Sequence, residues 1–242
     1  MSGRLGRYAA YQCRDYVRER GIPLLLVGAL LLLMAERGAI GAGGVDLSGS
    51  GLRTLATAAI FLELFAPTAV LIGVNGIVSG DRKHSYYRLL FAKPVSPVRY
   101  YAHAWLVSLA GTLLATLLVL AGFIAFLGSI PVAASLQFVL LYFVLFGGVG
   151  FLLSAITEYD WVALGVVWSL AWLLRSWLPA GESWLGRMVD AILPPLHLLA
   201  GASATLLSGG RIDTHAWWWI VGYGIAAFLA GILVIRNRPM AS

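Results

Sequence analysis

The chain has 242 residues, of which 60% are hydrophobic and only 12% are charged, and its formal net charge is +6. Soluble domains carry about 25% charged residues, so this composition excludes an ordinary soluble protein and indicates a polytopic membrane protein. In that class Lys and Arg mark the cytoplasmic side, so the positive charge does not indicate nucleic-acid binding. The single cysteine, Cys13, excludes an intrachain disulfide and a metal site built on several thiolates.

Residues 1–20 carry basic and apolar side chains at a helical period. Leu5, Tyr8 and Tyr16 fall on one arc, and five arginines are distributed along the same segment. This pattern predicts an amphipathic helix on the cytoplasmic membrane surface. A basic tail that only satisfies the positive-inside rule is the alternative. The basic leader and the short apolar run after it resemble a signal peptide, but no clear A-x-A site follows, so we expect a retained first span.

Six apolar stretches approach or exceed the 20 or so helical residues that cross a bilayer core. They are residues 17–34, 55–78, 101–128, 134–156, 161–178 and 216–235. Twelve of the 17 Lys and Arg residues lie in the N-terminal tail, in residues 79–101 or in the C-terminal tail. This distribution predicts that both termini and residues 79–101 are cytoplasmic. The fold class is therefore an all-α polytopic membrane protein, with residues 1–242 forming one transmembrane domain.

Two external segments separate these spans. Residues 36–54 are glycine-rich and are predicted to form an external loop. Residues 179–215 contain a helical pattern near 182–193 and then the apolar run LPPLHLLAGASATLLSGG, which is too short to cross. We expect this run to enter the membrane and return, an arrangement tolerated only against protein.

The cytoplasmic segment 79–101 reads SGDRKHSYYRLLFAKPVSPVRYY. On a helix over residues 82–93, one arc of about 200° is apolar. That arc consists of Tyr86, Tyr87, Leu89, Leu90 and Phe91. Pro94 ends the helix because proline lacks a donor and restricts the residue before it. A rigid helix with an apolar face suits either a soluble partner or the lipid surface, and the residues alone leave both open.

The order of an acidic residue, L-L-x-A-x-P-V-S and an aromatic residue resembles the cytoplasmic connection of ABC-2 type transporter permeases. Here the pattern is Asp81, Leu89–Leu90, Ala92, Pro94–Val95–Ser96 and then Tyr100 or Tyr101. The resemblance covers the layout of the whole chain, and it implies that residues 79–101 form a coupling helix docked on an ATPase subunit. The residues that would carry this contact are Asp81, Arg82, Tyr86, Tyr87, Leu89, Leu90, Phe91 and Pro94.

The same resemblance implies a permease subunit in the cytoplasmic membrane of a prokaryote, working as an exporter. Two permease copies, expected as a homodimer, would pair with two ATPase subunits that bind ATP and Mg. The chain has no G-x-x-x-x-G-K-[ST] motif, so it is not expected to hydrolyse ATP or to hold a cofactor itself.

Alternative functions start from other features. Movement of the coupling helix with the ATPase could instead act as a mechanical signal to an external accessory protein. The chain could also be a scaffold without transport. The sequence AGASATL resembles the Gly-x-Ser environment of rhomboid proteases, with Ser203 as nucleophile and His197 or His215 as base. Ser203 is otherwise a small residue that permits close packing. The four histidines lack metal-ligand spacing, so no metal site is expected.

Glu63 is the polar residue that the second span must accommodate. It lies ten residues after Arg53, about 15 Å along a helix, and a carboxylate at that depth rarely faces lipid. Arg175 is embedded in the fifth predicted span, near its external end. We expect Glu63 to face the bundle or the dimer path, either paired with Arg175 or lining the route. A protonated Glu63 bonded to a neighbouring helix is the alternative.

Overall fold

The computed structural model describes residues 10–38, 50–83, 96–177, 184, 186, 188 and 192–237. Within these ranges the side chains of residues 50, 82, 83, 172, 175 and 176 are outside the description. The described residues form helices and turns, with no strand among them. Much of the predicted coupling helix and of the helical pattern near 182–193 lies outside the described residues.

The helices follow the predicted spans closely. They are α1 (Ile22–Glu36), α2 (Ser50–Val74), α3 (Ser79–Lys83), α4 (Pro97–Leu127), α5 (Val132–Ile156), α6 (Asp160–Trp177), α7 (Ala202–Leu207) and α8 (Thr214–Asn237). A π-helical turn, Val17–Gly21, leads into α1, and residues 10–16 before it are helical. A 3-10 turn, Leu196–Leu198, precedes α7.

Four stretches are long and apolar enough to cross a membrane, as expected for a multi-pass membrane protein. They are Gly51–Asp81, Pro97–Leu127, Val132–Ile156 and Thr214–Asn237. They correspond to the second, third, fourth and sixth predicted spans. The first and fifth predicted spans are helical as α1 and α6, which have 15 and 18 residues.

Two boundaries differ from the prediction at the second span. Helix α2 begins at Ser50, inside the predicted external loop 36–54, and it ends at Val74 instead of residue 78. The early end has a structural cause, because Gly76 adopts a φ of 71° that breaks the helical path. Hydropathy does not detect this turn, since residues 77 and 78 are as apolar as the helix before them.

The chain divides into two compact units. The first unit consists of Met1–Gly73, Leu106–Phe143 and Ala200–Asp213. Its core contains Phe61, which stacks on Phe65 at 5.6 Å and packs against Phe123 at 5.3 Å between ring centroids. Residues Ala202, Leu206 and Leu207 of α7 are buried in the same core. The short helix is therefore held by apolar packing within this unit.

The second unit consists of Val74–Trp105, Val144–Leu199 and Thr214–Ser242. In it, the Phe228 ring lies 4.7 Å from Trp105 and 4.8 Å from Phe151. Helices α5 and α8 approach at backbone distance, because a Cβ on Gly224 would collide with the carbonyl oxygen of Val144. Small residues permit this close helix packing.

Candidate functional site around Glu63

Glu63 lies near the middle of α2, on the exposed side of that helix. It is thirteen residues after Ser50 and eleven before Val74, about 20 Å and 17 Å along the axis. Its neighbours on the exposed stripe are Ile60 and Leu64, which are 37% and 43% exposed. A carboxylate therefore interrupts an apolar surface at half the length of a candidate span.

The carboxylate of Glu63 holds the first turn of α7. Its Oε1 atom accepts a hydrogen bond from the backbone N–H of Gly201 at 3.2 Å and another from the Ser203 hydroxyl at 2.8 Å. Gly201 has a φ of 72°, which costs a residue with a Cβ more than it costs glycine. The bond to N–H satisfies a donor that the start of a helix leaves without an intrahelical partner. The non-spanning helix α7 thus meets α2 at mid-length.

Both described hydrogen bonds of Glu63 end on the same oxygen. Oε2 accepts none from the described residues. The Glu63 carboxylate is therefore anchored to the start of α7 through Oε1.

The sequence predicts roles for Glu63, Arg175 and Ser203, and the structure describes the side chains of Glu63 and Ser203. Glu63 accepts hydrogen bonds from Gly201 and Ser203 at the start of α7. The side chain of Arg175 is outside the described residues, so its pairing with Glu63 stays a prediction. Ser203 is fully buried, and its hydroxyl donates to Glu63. The protease hypothesis needs an accessible Ser203 that donates to His197 or His215, whereas the described hydroxyl is buried and donates to Glu63.

A second polar cluster ties the N-terminal segment to the first unit. The Arg20 guanidinium donates to the Gly73 carbonyl oxygen at 3.2 Å and to the Ser108 hydroxyl at 2.9 Å. The Gly73 carbonyl belongs to the last turn of α2, where carbonyls lack intrahelical partners and a cation is favourable. Arg20 therefore caps the end of α2.

Tyr16 completes this cluster. Its hydroxyl shares a hydrogen bond with Thr112 at 3.0 Å, and its ring occupies the space that a Cβ on Gly111 would need. Burial raises the pKa of the Tyr16 phenol, against smaller opposing effects of Thr112 and Arg20. Arg14 and Arg18 are exposed on the same helical segment. Tyr16, on the predicted apolar arc, packs against protein, whereas Cys13, on the same arc, is exposed.

The turn that leads into residues 79–101 is held by two polar side chains of the second unit. Asp160 Oδ2 accepts the Gly76 N–H at 2.9 Å. The Ser154 Oγ accepts the N–H groups of Val78 at 3.1 Å and Ser79 at 2.9 Å. The start of the predicted coupling segment is therefore fixed on α5 and on the first residue of α6.

Of the predicted coupling residues, Asp81 is half-buried in α3, and Arg82 is helical with its side chain outside the description. The other six are Tyr86, Tyr87, Leu89, Leu90, Phe91 and Pro94, and they lie outside the described residues. Sequence reasoning did not identify Ser154, Arg20 or Thr112. A serine or threonine within an apolar helix is a weak signal because it can bond its own helix, as Thr116 does to the Thr112 carbonyl at 2.7 Å.

The described residues contain no group of three or more His, Cys, Asp or Glu side chains that could hold a metal ion. The sequence matches no protein-family model, and it matches no curated protein in a sequence comparison. Functional inference therefore starts from the residues described above.

Proposed function

We propose that the chain is the transmembrane subunit of an ABC transporter, an exporter whose ATP is hydrolysed by a separate ATPase subunit. The observation that carries this proposal is the Glu63 site, where an exposed carboxylate at mid-span holds a helix too short to cross. A membrane anchor or scaffold needs no such group, because an ionisable residue inside a bilayer is costly and typically belongs to a substrate or ion route.

In this proposal the chain crosses the membrane six times. The helical path from Val17 to Glu36 is about 30 Å long at 1.5 Å per residue, and α6 with its 18 residues is about 27 Å long. Both lengths are compatible with a hydrocarbon core of about 30 Å. Residues 1–20 include the amphipathic interfacial helix, and α7 belongs to a re-entrant external segment before the last span. Its burial against unit 1 meets the condition for such a segment.

Residues 79–101 serve as the coupling helix in this proposal, on the strength of their resemblance to ABC-2 permeases. The geometry around them supports a mechanical role. The turn before them is hydrogen-bonded to Ser154 and Asp160. The helix after them, α4, has 31 residues and is about 46 Å long, so it exceeds the bilayer core by several turns. A push on this segment would therefore act on rigid helices at both of its ends.

The partners in this proposal are two ATPase subunits, which bind ATP and Mg, and a second copy of this chain across a central path. The second candidate within the class of ABC membrane subunits uses the movement of residues 79–101 to signal to an external accessory protein. The protease hypothesis is disfavoured because Ser203 is buried and its hydroxyl donates to Glu63 instead of to His197 or His215.

The decisive experiment is co-purification of the full-length tagged chain from its native membranes, with ATP hydrolysis as the readout. We expect hydrolysis in the complex and none when the chain is purified away from its partner. Leu90→Asp places a charge on the apolar arc and should remove the ATPase from the complex while expression persists. Ala92→Asp is the matched control, since it places the same charge on the opposite arc.

Two results would contradict the proposal. One is robust hydrolysis by the chain alone after contaminants are removed. The other is an unchanged complex with unchanged activity in both Leu90→Asp and Phe91→Asp, which would leave residues 82–93 as an interfacial helix only.

A further inference from the structure

Helix α5 holds the N-terminal end of the predicted coupling segment, residues 79–101. The Ser154 Oγ accepts the N–H groups of Val78 at 3.1 Å and Ser79 at 2.9 Å. All three residues are buried, and the start of a helix leaves such N–H donors without intrahelical partners. The Ser154 hydroxyl therefore fixes this end of the segment on α5.

The chain returns to the same helix through Trp105, four residues after Tyr101. The indole N–H of Trp105 donates to the Gly147 carbonyl oxygen at 3.1 Å. A carbonyl has two lone pairs, so Gly147 can accept this bond in addition to its own helical bond. The Trp105 ring also lies 4.7 Å from Phe228, which lies 4.8 Å from Phe151 of α5. Trp105 therefore fixes the C-terminal end of the segment on α5.

The two attachment points lie on one face of α5. Gly147 and Ser154 are seven residues apart, which corresponds to about 700° of helical rotation, nearly two full turns, and to about 10 Å along the axis. Residues 79–101 thus leave and return to a single rigid face. A loop without such attachments has many arrangements, and ordering it on a partner costs binding free energy.

We propose that Ser154 and Trp105 are positioning residues that pre-organise residues 79–101 for docking on the ATPase subunit. The inference rests on the proposed function for its partner, and it assigns a docking role to two buried residues that lie outside the predicted contact. A docking-competent state that is only partly populated lowers the apparent affinity by that fraction. Loss of either attachment should therefore weaken ATPase binding without altering a side chain of the contact.

The first test needs no ATPase and measures hydrogen–deuterium exchange of the full-length chain in nanodiscs. Ser154→Ala removes the acceptor of the Val78 and Ser79 amides, so these amides should exchange about tenfold faster, the effect of losing one hydrogen bond. Ser135→Ala is the matched control. Ser135 is buried in the same helix, and its hydroxyl donates to the Pro131 carbonyl oxygen, so exchange of the two amides should not change.

The second test titrates the ATPase subunit, released from the co-purified complex, onto the chain in nanodiscs. We expect about tenfold weaker binding for Ser154→Ala and for Trp105→Phe, which keeps an aromatic ring but lacks the N–H donor. The controls are Ser135→Ala and Trp168→Phe, since the Trp168 ring contacts α5 at 5.3 Å from Phe146. A purely structural defect would lower the amount of ATPase bound at saturation, but not the affinity of the chains that stay folded.

The inference is overturned if Ser154→Ala leaves exchange of the Val78 and Ser79 amides unchanged. It is also overturned if Ser154→Ala and Trp105→Phe bind the ATPase subunit as tightly as their controls do. Either result leaves the transporter proposal standing, because that proposal requires the complex but not these two attachments. Failure of the unaltered chain to bind any ATPase subunit would remove the proposed function, and with it the docking role of Ser154 and Trp105.

Discussion

At the scale of single residues, the Glu63 carboxylate anchors α7 through its Oε1 atom. The stability of each variant should therefore depend on the hydrogen-bond acceptors that it leaves for Gly201 and Ser203. Glu63→Gln keeps an acceptor, so its apparent melting temperature should be close to that of the unaltered chain. Ser203→Ala removes one bond, at a cost of about 1 kcal/mol. Glu63→Leu leaves the buried Ser203 hydroxyl and the exposed Gly201 N–H without this acceptor and should cost more, about 2–3 kcal/mol.

The measurement is the apparent melting temperature in detergent. For chains of this length each kcal/mol corresponds to about 2–4 °C in soluble proteins, so the three variants should be resolved. Equal melting temperatures for Glu63→Leu and Glu63→Gln would show that the carboxylate does not anchor α7.

Arg20 allows a second test at this scale, with its neighbour Arg18 as the control. Arg20→Met keeps an apolar stem but leaves the Gly73 carbonyl and the Ser108 hydroxyl without their donor. We expect a loss of about 1–3 kcal/mol, seen as a lower apparent melting temperature. Arg18 is exposed, so Arg18→Met should have little effect. Both variants remove one positive charge from the same segment, and equal effects would assign the role of Arg20 to net charge instead of capping.

The sequence identified Glu63 as the residue to explain but did not identify its partners. A carboxylate inside an apolar run can be recognised from the sequence alone, because its energetic cost depends only on its depth in the membrane. Its bond to Ser203 joins residues 140 positions apart. That pairing depends on where α7 folds back, which neither hydropathy nor spacing encodes. Arg20 was likewise counted as one of several basic residues, and only the end of α2 beside it reveals a cap.

At the scale of helices, the contact between α5 and α8 depends on glycine. A Cβ on Gly224 would collide with the Val144 carbonyl oxygen and approach the Leu145 Cα at 3.0 Å. Backbone atoms cannot move aside as side chains do, so Gly224→Ala should separate the two helices. Gly222 has nothing within 4 Å of its Cβ position. Gly222→Ala should therefore be neutral or stabilising, through a helix propensity gain of up to about 1 kcal/mol.

Yield of monodisperse protein and apparent melting temperature measure this contrast. We expect a clear loss for Gly224→Ala and none for Gly222→Ala. The close contact of α5 and α8 is disproved if the two variants behave alike.

Helix positions were largely predictable, and their ends were less so. Long apolar runs must be helical inside a bilayer because every backbone polar group needs an internal partner, and α4, α5 and α8 follow their predicted spans within four residues at each end. Helix α2 ends early because Gly76, Ser154 and Asp160 fix the turn that follows it. Those contacts join residues more than 70 positions apart, so composition alone could not locate the end.

For the whole molecule, the number of spans decides which side each turn occupies. Four stretches qualify as spans by length and hydropathy, and the proposed function adds α1 and α6. Both topologies put the two termini on one side, so terminal tags cannot separate them. The turns can. With six spans, residues 157–159 share a side with the N-terminal segment and residues 128–131 lie opposite. With four, these two turns exchange sides.

The single cysteine of the chain makes this difference measurable. Cys13 is exposed, so a membrane-impermeant maleimide should label it from the cytoplasmic side only. In a Cys13→Ser background, Glu158→Cys and Ser129→Cys place one thiol in each turn, at positions that are exposed. Six spans predict that Glu158→Cys is labelled from the same side as Cys13 and that Ser129→Cys is labelled from the opposite side. The reverse pattern would remove α1 and α6 from the spans. It would also place residues 79–101 on the side opposite the N-terminal segment, and if that segment is cytoplasmic the ATPase subunit could not reach them.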